Sequence, residues 1–398
     1  MRSGKQKQKF AFDTYDLKFG VSYEYPVYFT HFLFHEDNQL LASVIDRKKE
    51  DRRHRVIVYI DKGIVMANDG IVGEVTGYLA ARPDLVEVVC PPITIDGGEK
   101  AKNGWEGVKG VMKTIGESHM CRQSFVIAIG GGSVLDMVGF AASLVHRGLR
   151  MLRIPSTVLA QNDAGIGVKN GMNERHQKNF IGAFAPPFAV INDFEFLRTL
   201  KQKDWVGGIS EAFKVAIIKD GSFFSFLCRN ARKLRARNMN AMEELVERCA
   251  VLHLDHIRRS GDPFEMGSAR PLDFGHWAGH RLEMMSGNRL GHGQAVAIGV
   301  ALDSCYAMLS GLISATELTR ILDAMSATGL KLWDPLLLRQ GRSDRPEILK
   351  GLEEFREHLG GRLSVTLPKS IGMKCEVGEM DSGRIVEAIQ LLRKYASN

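Results

Sequence analysis

"FVIAIGGGSVLDMVGF", residues 125–140, joins an apolar run to three consecutive glycines and then to apolar residues at helical spacing. The run has no polar break, so it predicts a strand buried on both faces, the mark of a parallel sheet covered by helices. The glycines predict a tight strand-to-helix turn. Backbone without Cβ lets a ligand approach closely, and free N–H groups at the start of a helix favour an anion such as a pyrophosphate. The spacing is not G-x-G-x-x-G, so the usual dinucleotide fingerprint does not apply, and the turn also reads as a purely geometric device.

The same grammar extends on either side. "HRVIVYID" (54–61), "LVEVVCPPITI" (85–95), "GLRMLRIPST" (148–157) and "PFAVIND" (187–193) read as further strands, separated by helical patterns such as "KNGWEGVKGVMKTIGES" (102–118). Strands alternating with helices predict an α/β parallel sheet. After "GGISEAFKVAII" (207–218) the β-type runs stop, and "NMNAMEELVERCAVLHLDHIRR" (238–259), "HGQAVAIGVALDSCYAMLSGL" (292–312) and "SATELTRILDAMSATG" (314–329) carry helical spacing. The expected architecture is a Rossmann-like α/β domain over residues 1–199 and an all-α domain over 200–398, with the chemistry in the cleft between them.

The composition allows this. At 398 residues, 44% hydrophobic and 25% charged, the chain has the length and balance of a two-domain globular protein. Six cysteines (90, 121, 228, 249, 305 and 375) show no metal-type pairing, and no signal peptide or membrane-length apolar run is present, so reduced thiols and a cytoplasmic location are expected. Much of the net charge of +7 sits in "RSGKQKQKF" (2–10), "RKKEDRRHR" (47–55) and "RNARKLRARN" (229–238). No aromatic residues interleave these charges as base-stacking platforms, so solvated surface is the preferred reading over a nucleic-acid site. Such a field still attracts a small phosphorylated substrate.

Candidate site residues come in three groups. Asp136, one turn past the glycines, and Glu99 and Lys102 in "DGGEKAK" (96–102) are placed for ribose or phosphate contacts after strands. "IPSTVLAQNDAGIGVKNGMNERHQKNFIGAF" (154–184) gathers Asp163, Lys169, Asn173, Lys178 and Asn179 on glycine-broken chain; exposed one by one they are ordinary loop residues, while together they suit a phosphorylated, hydroxylated substrate. In "LDFGHWAGHRLE" (272–283) His276 and His280 lie one helical turn apart. With Glu211 in "GISEAFK" and His292 in "GHGQAVAIG", His276 makes a three-ligand set of the kind a catalytic zinc uses, His280 facing the same cavity; each histidine also reads as an ordinary packed one.

Taken in order, "DGGEKAK", "GGGSVLD", "HRG", "IPSTVLAQNDAGIGVKNGMN", "KNFIGAF", "EAFK", "DFGHWAGH" and "HGQAVAIG" resemble the dehydroquinate-synthase-like sugar phosphate cyclases from about residue 55 to 310. The resemblance implies a Rossmann-like NAD-binding domain followed by a helical metal- and substrate-binding domain. It implies Glu211, His276 and His292 as ligands of Zn2+, with Co2+ a possible substitute. It implies Asp61, Glu99, Lys102, Gly131, Gly132, Asp136, Thr157 and Asp163 as NAD contacts. Lys169, Lys214, His280 and Arg147 become catalytic residues, and Asn173, Lys178, Asn179, Arg270 and Asp273 substrate-binding ones. It further implies a homodimer, with Arg147 reaching into the neighbouring subunit. The implied reaction is transient oxidation of a sugar phosphate, elimination of phosphate, re-reduction and aldol closure to a carbocycle, with no net oxidation.

Three departures surround the substrate. Gln294 stands where the family string has glutamate, Asp273 replaces an asparagine in "LNFGH", and the family's carboxy-terminal "DKK" segment has no counterpart in "EFREHLGGRLSVTLPKSIGMKCEVGEMD" (354–381). These differences, with "GVKNGMN", make the chain similar to secondary-metabolism branches that cyclise sedoheptulose 7-phosphate to valiolone-type products, or to cyclase-like proteins of the ebo type. Dehydroquinate synthase proper, a metal-dependent polyol dehydrogenase and a non-catalytic cofactor-binding assembly partner are the competing functions.

Overall fold

A computed structural model describes residues 14–175, 177–260, 262–264, 271–287, 289–341 and 345–397. The basic run at 2–10 and Arg270 lie outside these. Among the described residues, nine strands belong to the first part: β1 Val27–Thr30, β2 His54–Asp61, β3 Val86–Val88, β4 Ile93–Ile95, β5 Phe125–Gly130, β6 Arg150–Pro155, β7 Lys169–Glu174, β8 Gln177–Phe184 and β9 Ala189–Asp193. Seven form one sheet in the order β1-β9-β6-β5-β2-β3, with β4 also beside β2, and every pairing in it is parallel. "LVEVVCPPITI" is therefore two short strands, because the proline pair cannot donate ladder hydrogen bonds.

The central strands show why the sheet forms. On β2 and β5, Val56, Val58, Ile60, Phe125, Ile127 and Ile129 pack into one core, while Ile57, Tyr59, Val126 and Ala128 pack into a second on the opposite face. Alternate side chains point to opposite faces, so a strand apolar at every position must be covered twice. Helices α1 Leu40–Ile45, α2 Lys62–Ala67, α3 Ile71–Ala80, α4 Glu106–Glu117 and α5 Gly132–Leu144 provide the cover. In register, the carboxyl ends of β2, β5 and β6 bring Asp61, Gly130 and Pro155 to one edge, where open α/β sheets bind ligands.

The polar run at 154–184 is more ordered than its glycines suggest. It holds a π-helical turn at Ala160–Ala164 and the antiparallel hairpin β7–β8. Buried Arg153 fastens the connecting segment, donating to the carbonyls of Gly165, Gly167 and Lys169 and to Asn170 Oδ1 at 2.6–3.1 Å.

Beyond Thr199 come α6 Gln202–Gly207, α7 Ile209–Lys219, α8 Gly221–Arg235, α9 Met239–Arg259, α10 His276–Met285, α11 His292–Leu309, α12 Ala315–Ala327, α13 Lys350–His358 and α14 Ser382–Ser397. Helix α11 is the hub, packed against α7, α10, α12 and α14, and α7 is buried over most of its length. This part is helical with one addition to the expected all-α plan: the hairpin β10 Val365–Ser370 and β11 Met373–Val377, packed on α7 and α11. Its alternation is interrupted by Pro368, Lys369 and a register shift, so the sequence pattern is weak. Among the described residues, no helix is long and apolar enough to cross a membrane.

Candidate active site

Three helix starts converge. Glu211 lies in the first turn of α7, and His276 and His292 open α10 and α11. The approach of α11 requires glycine at 293, where a Cβ would sit 2.1 Å from the Gly207 carbonyl oxygen. His276 Nδ1 donates to the Phe274 carbonyl at 3.2 Å, and His292 Nδ1 donates to Glu283 at 2.9 Å. With Nδ1 so engaged, both rings turn Nε2 toward the same point. Those atoms stand 3.8 Å and 3.6 Å from Glu211 Oε1, which is wholly buried and accepts no hydrogen bond.

Two ligands about 2.0–2.1 Å from a tetrahedral ion stand about 3.3 Å apart. An orphaned carboxylate oxygen between two imidazole Nε2 atoms fits a divalent cation and fits nothing apolar. His280 is close by, with ring centroids 5.3 Å from His276 and 5.7 Å from His292, and the three histidines alone could also hold an ion. The oxygen of Glu211 makes the first set the better one: it has no hydrogen-bond partner, and burial raises the Glu211 pKa, a cost that a bound cation would offset.

Charge runs outward from this centre in two chains. On one side Lys214 lies 2.5 Å from Glu211 Oε2 and 3.3 Å from Asp163, and His253 lies 3.1 Å from the other oxygen of Asp163. Burial opposes the charge on Lys214, but Asp163 and Glu211 overcome it and raise its pKa; Asp273 adds to them. Burial likewise opposes the charge on Asp163, and His253 and Lys214 hold its carboxyl well below the usual range. On the other side Glu283 binds Lys178 through both oxygens, at 2.9 and 2.8 Å, as well as His292. Burial raises the Glu283 pKa, yet Lys178 and His292 bring it far down. Burial, followed by nearby cationic groups, keeps His276 and His280 well below the ordinary histidine value, so both rings are neutral at pH 7.

The hairpin ties these helices to the sheet. Asn173 Nδ2 donates to Glu99 at 2.8 Å and its Oδ1 accepts from the Asn179 amide at 2.9 Å. Lys102 pairs with Asp136 at 2.8 Å and with Asn179. At the sheet edge Asp61 caps α2 by accepting from Gly63 N–H at 2.7 Å, and burial raises its pKa. Gly131 and Gly132 lead into α5, and a Cβ on Gly131 would touch Thr157. Lys169 begins β7, opposite Phe184.

A model of the 3-dehydroquinate synthase N-terminal region matches residues 92–207, and one of the C-terminal region matches 208–344, together more than half of the chain. The chain belongs to the 3-dehydroquinate synthase family. A 3-dehydroquinate synthase of Vibrio atlanticus (strain LGP32) is 32% identical over 334 residues, 83% of this chain and 90% of that protein. Another, from Desulforamulus reducens, is 35% identical over 63% of this chain and 68% of its own. Among solved structures, 2-epi-5-epi-valiolone synthase from Streptomyces hygroscopicus subsp. jinggangensis 5008, with NAD+ and Zn2+ bound, superposes with a TM-score of 0.85 at 28% identity, covering 96% of this chain and all of that one. A 2-deoxy-scyllo-inosose synthase holding carbaglucose-6-phosphate, NAD+ and Co2+ has a TM-score of 0.75 at 20% identity, covering 92% of this chain and 96% of that one, and shows the shared fold.

Within this dehydroquinate synthase family framework, Arg147 stands apart from the other candidates. It is exposed at the far end of α5, about 20 Å along the helix from Gly132. It and His146 both have left-handed backbone, with φ of 63° and 51°. Gln294 turns to the backbone: its Oε1 accepts from Gly291 N–H at 3.4 Å, a role an amide fills as a carboxylate would. Sequence reading missed Glu283 and His253. Glu283 was within reach, since positions 276, 280 and 283 share one face of a helix. His253 carries no such signal on the amphipathic α9.

Proposed function

We propose that this chain is an NAD- and divalent-metal-dependent sugar phosphate cyclase that eliminates phosphate from a heptulose-type substrate, with sedoheptulose 7-phosphate preferred. One observation carries the catalytic part: the buried, unpartnered Glu211 oxygen facing the free Nε2 atoms of His276 and His292. The valiolone-type substrate is supported by the superposition over the full length of a valiolone synthase and by the departures at Asp273 and the carboxy-terminal segment.

In this reading residues 1–199 form the NAD domain and 200–398 the metal and substrate domain. Glu211, His276 and His292 hold Zn2+ or Co2+. Asp61, Glu99, Lys102, Gly131, Gly132, Asp136, Thr157 and Asp163, at and beside the sheet edge, would hold NAD+. When bound, NAD+ supplies a hydride acceptor and the ion a Lewis acid beside the same carbinol. Lys169, Lys178, Asn173 and Asn179 on the hairpin, with Arg270 and Asp273, receive the phosphate and ring hydroxyls. Lys214 is held protonated by its two carboxylates and stabilises developing negative charge. Neutral His280 is placed to accept or return a proton as phosphate leaves. Arg147, exposed on its left-handed loop, reaches the site of a second subunit in a homodimer.

The names of the sequence relatives favour a second reading, 3-dehydroquinate synthase proper. Sedoheptulose 7-phosphate and the phosphorylated dehydroquinate precursor, offered separately with NAD+ and Co2+, decide between them by phosphate release and NMR of the product. Phosphate release from the second alone overturns the valiolone-type assignment. Steady accumulation of NADH without phosphate overturns the cyclase and establishes a polyol dehydrogenase.

A further inference from the structure

Asp303 lies deep in the helical part, fully buried on α11, and the mechanism above does not use it. Its Oδ1 accepts from the Trp277 indole N–H at 2.9 Å and its Oδ2 from the Gly275 backbone N–H at 3.0 Å. These donors belong to the residues on either side of His276. One carboxylate therefore grips both flanks of a single histidine.

The surroundings leave that histidine little other freedom. Gly275 has φ of 79°, and a Cβ there would lie 2.6 Å from the Val300 amide nitrogen, so the chain enters α10 pressed against α11. Asp303 is eleven residues beyond His292 on α11, three helical turns, which puts both on the same side of the helix. One rigid helix thus carries His292 at its start and the grip on His276 further along. Burial pushes the Asp303 carboxyl up to about 7, and the groups that oppose this are the same two N–H donors, with no cation among them. An acid so placed is costly as packing alone.

We infer that Asp303 is a positioning residue for the ion site, fixing His276 relative to His292 through Trp277 and the Gly275 amide. The inference rests on the reading of Glu211, His276 and His292 as ion ligands. It adds a long-range constraint to the contacts that the Phe274 carbonyl and Glu283 make with the rings themselves.

The test is titration of the metal-stripped full-length protein with Co2+ alone, followed by visible absorption and by chelator competition. Wild type, Asp303→Asn, Trp277→Phe and Trp205→Phe are compared. Trp205 is a matched control: it is equally buried, and its indole donates to the Leu234 carbonyl at 2.7 Å, on helices that carry no ion ligand. Co2+ affinity is expected to fall about tenfold or more in Asp303→Asn and Trp277→Phe, the range seen when groups that orient metal ligands are changed. Their absorption bands should shift, while Trp205→Phe keeps wild-type affinity and spectrum. Wild-type affinity in Asp303→Asn and Trp277→Phe overturns the inference, as does an equal loss in Trp205→Phe, which marks a purely structural effect. A wild-type protein that binds no Co2+ overturns the ion reading beneath it.

Discussion

Glu283→Gln tests the link between the ion site and the substrate hairpin. The carboxylate, 4% exposed, fastens two groups: His292 Nδ1 at 2.9 Å and the Lys178 ammonium at 2.9 and 2.8 Å. Glutamine keeps the volume and can still accept one hydrogen bond, but it removes the charge. Losing a carboxylate that orients a ligating histidine weakens metal binding by about 10- to 100-fold, or about 1.4–2.7 kcal/mol. Lys178 is left 17% exposed, with its charge no longer balanced by Glu283. Breaking a buried pair on one side costs about 3–5 kcal/mol. The lower end applies here, because Glu99 still acts on the lysine. Chelator competition for Co2+ measures the first effect and urea unfolding of the metal-stripped protein the second. Lys178→Met is the counterpart: it removes the lysine but leaves Glu283 on His292, so metal affinity should hold while substrate KM rises. Wild-type Co2+ affinity in Glu283→Gln would refute the assignment of Glu283 as the group that orients His292.

Other expectations follow from the same contacts. His276→Ala should lose Co2+ binding and activity together, whereas Lys169→Ala should keep NAD+ and Co2+ binding, measured by calorimetry, and lose phosphate release. Gly293→Ala places a methyl 2.1 Å from the Gly207 oxygen and should both lower the melting temperature and weaken Co2+ binding, because the first turn of α11 must move. Ser314 and Glu317 cap α12 reciprocally, with Ser314 Oγ accepting from Glu317 N–H at 3.2 Å and Glu317 Oε2 accepting from Ser314 N–H at 2.9 Å. Ser314→Ala should lower the urea-unfolding free energy by about 1 kcal/mol. The Ser314 backbone N–H leads the contacts that hold Glu317 below the usual carboxylate pKa. Ser314→Ala keeps that N–H but removes the hydroxyl that also donates to Glu317 Oε2 at 2.9 Å; this share of the stabilisation is full above the unfolded carboxylate pKa and lost as pH falls through the folded one, so the difference between wild type and Ser314→Ala should shrink in acid.

What could be read from the chain alone was whatever local spacing records. β2 and β5 are legible because a strand covered on both faces must be apolar throughout, and the long helices because burial on one side repeats every three to four residues. The glycine turn and the histidine pair are likewise short-range features. The hairpin β7–β8 was hidden because its strands carry site residues in place of an apolar alternation, and β10–β11 because Pro368 and Lys369 break the pattern. Spacing could group Glu211 with His276 and His292 and set His280 beside them, but only packing shows that a Glu211 oxygen faces the Nε2 atoms of the two imidazoles. Glu283 meets Lys178 across 105 residues, and Asp303 reaches Gly275 across 28. Periodicity reports how a segment meets solvent and core. The pairing of distant charges depends on how close helices can approach, and that is decided by contacts between segments that no single stretch of sequence contains.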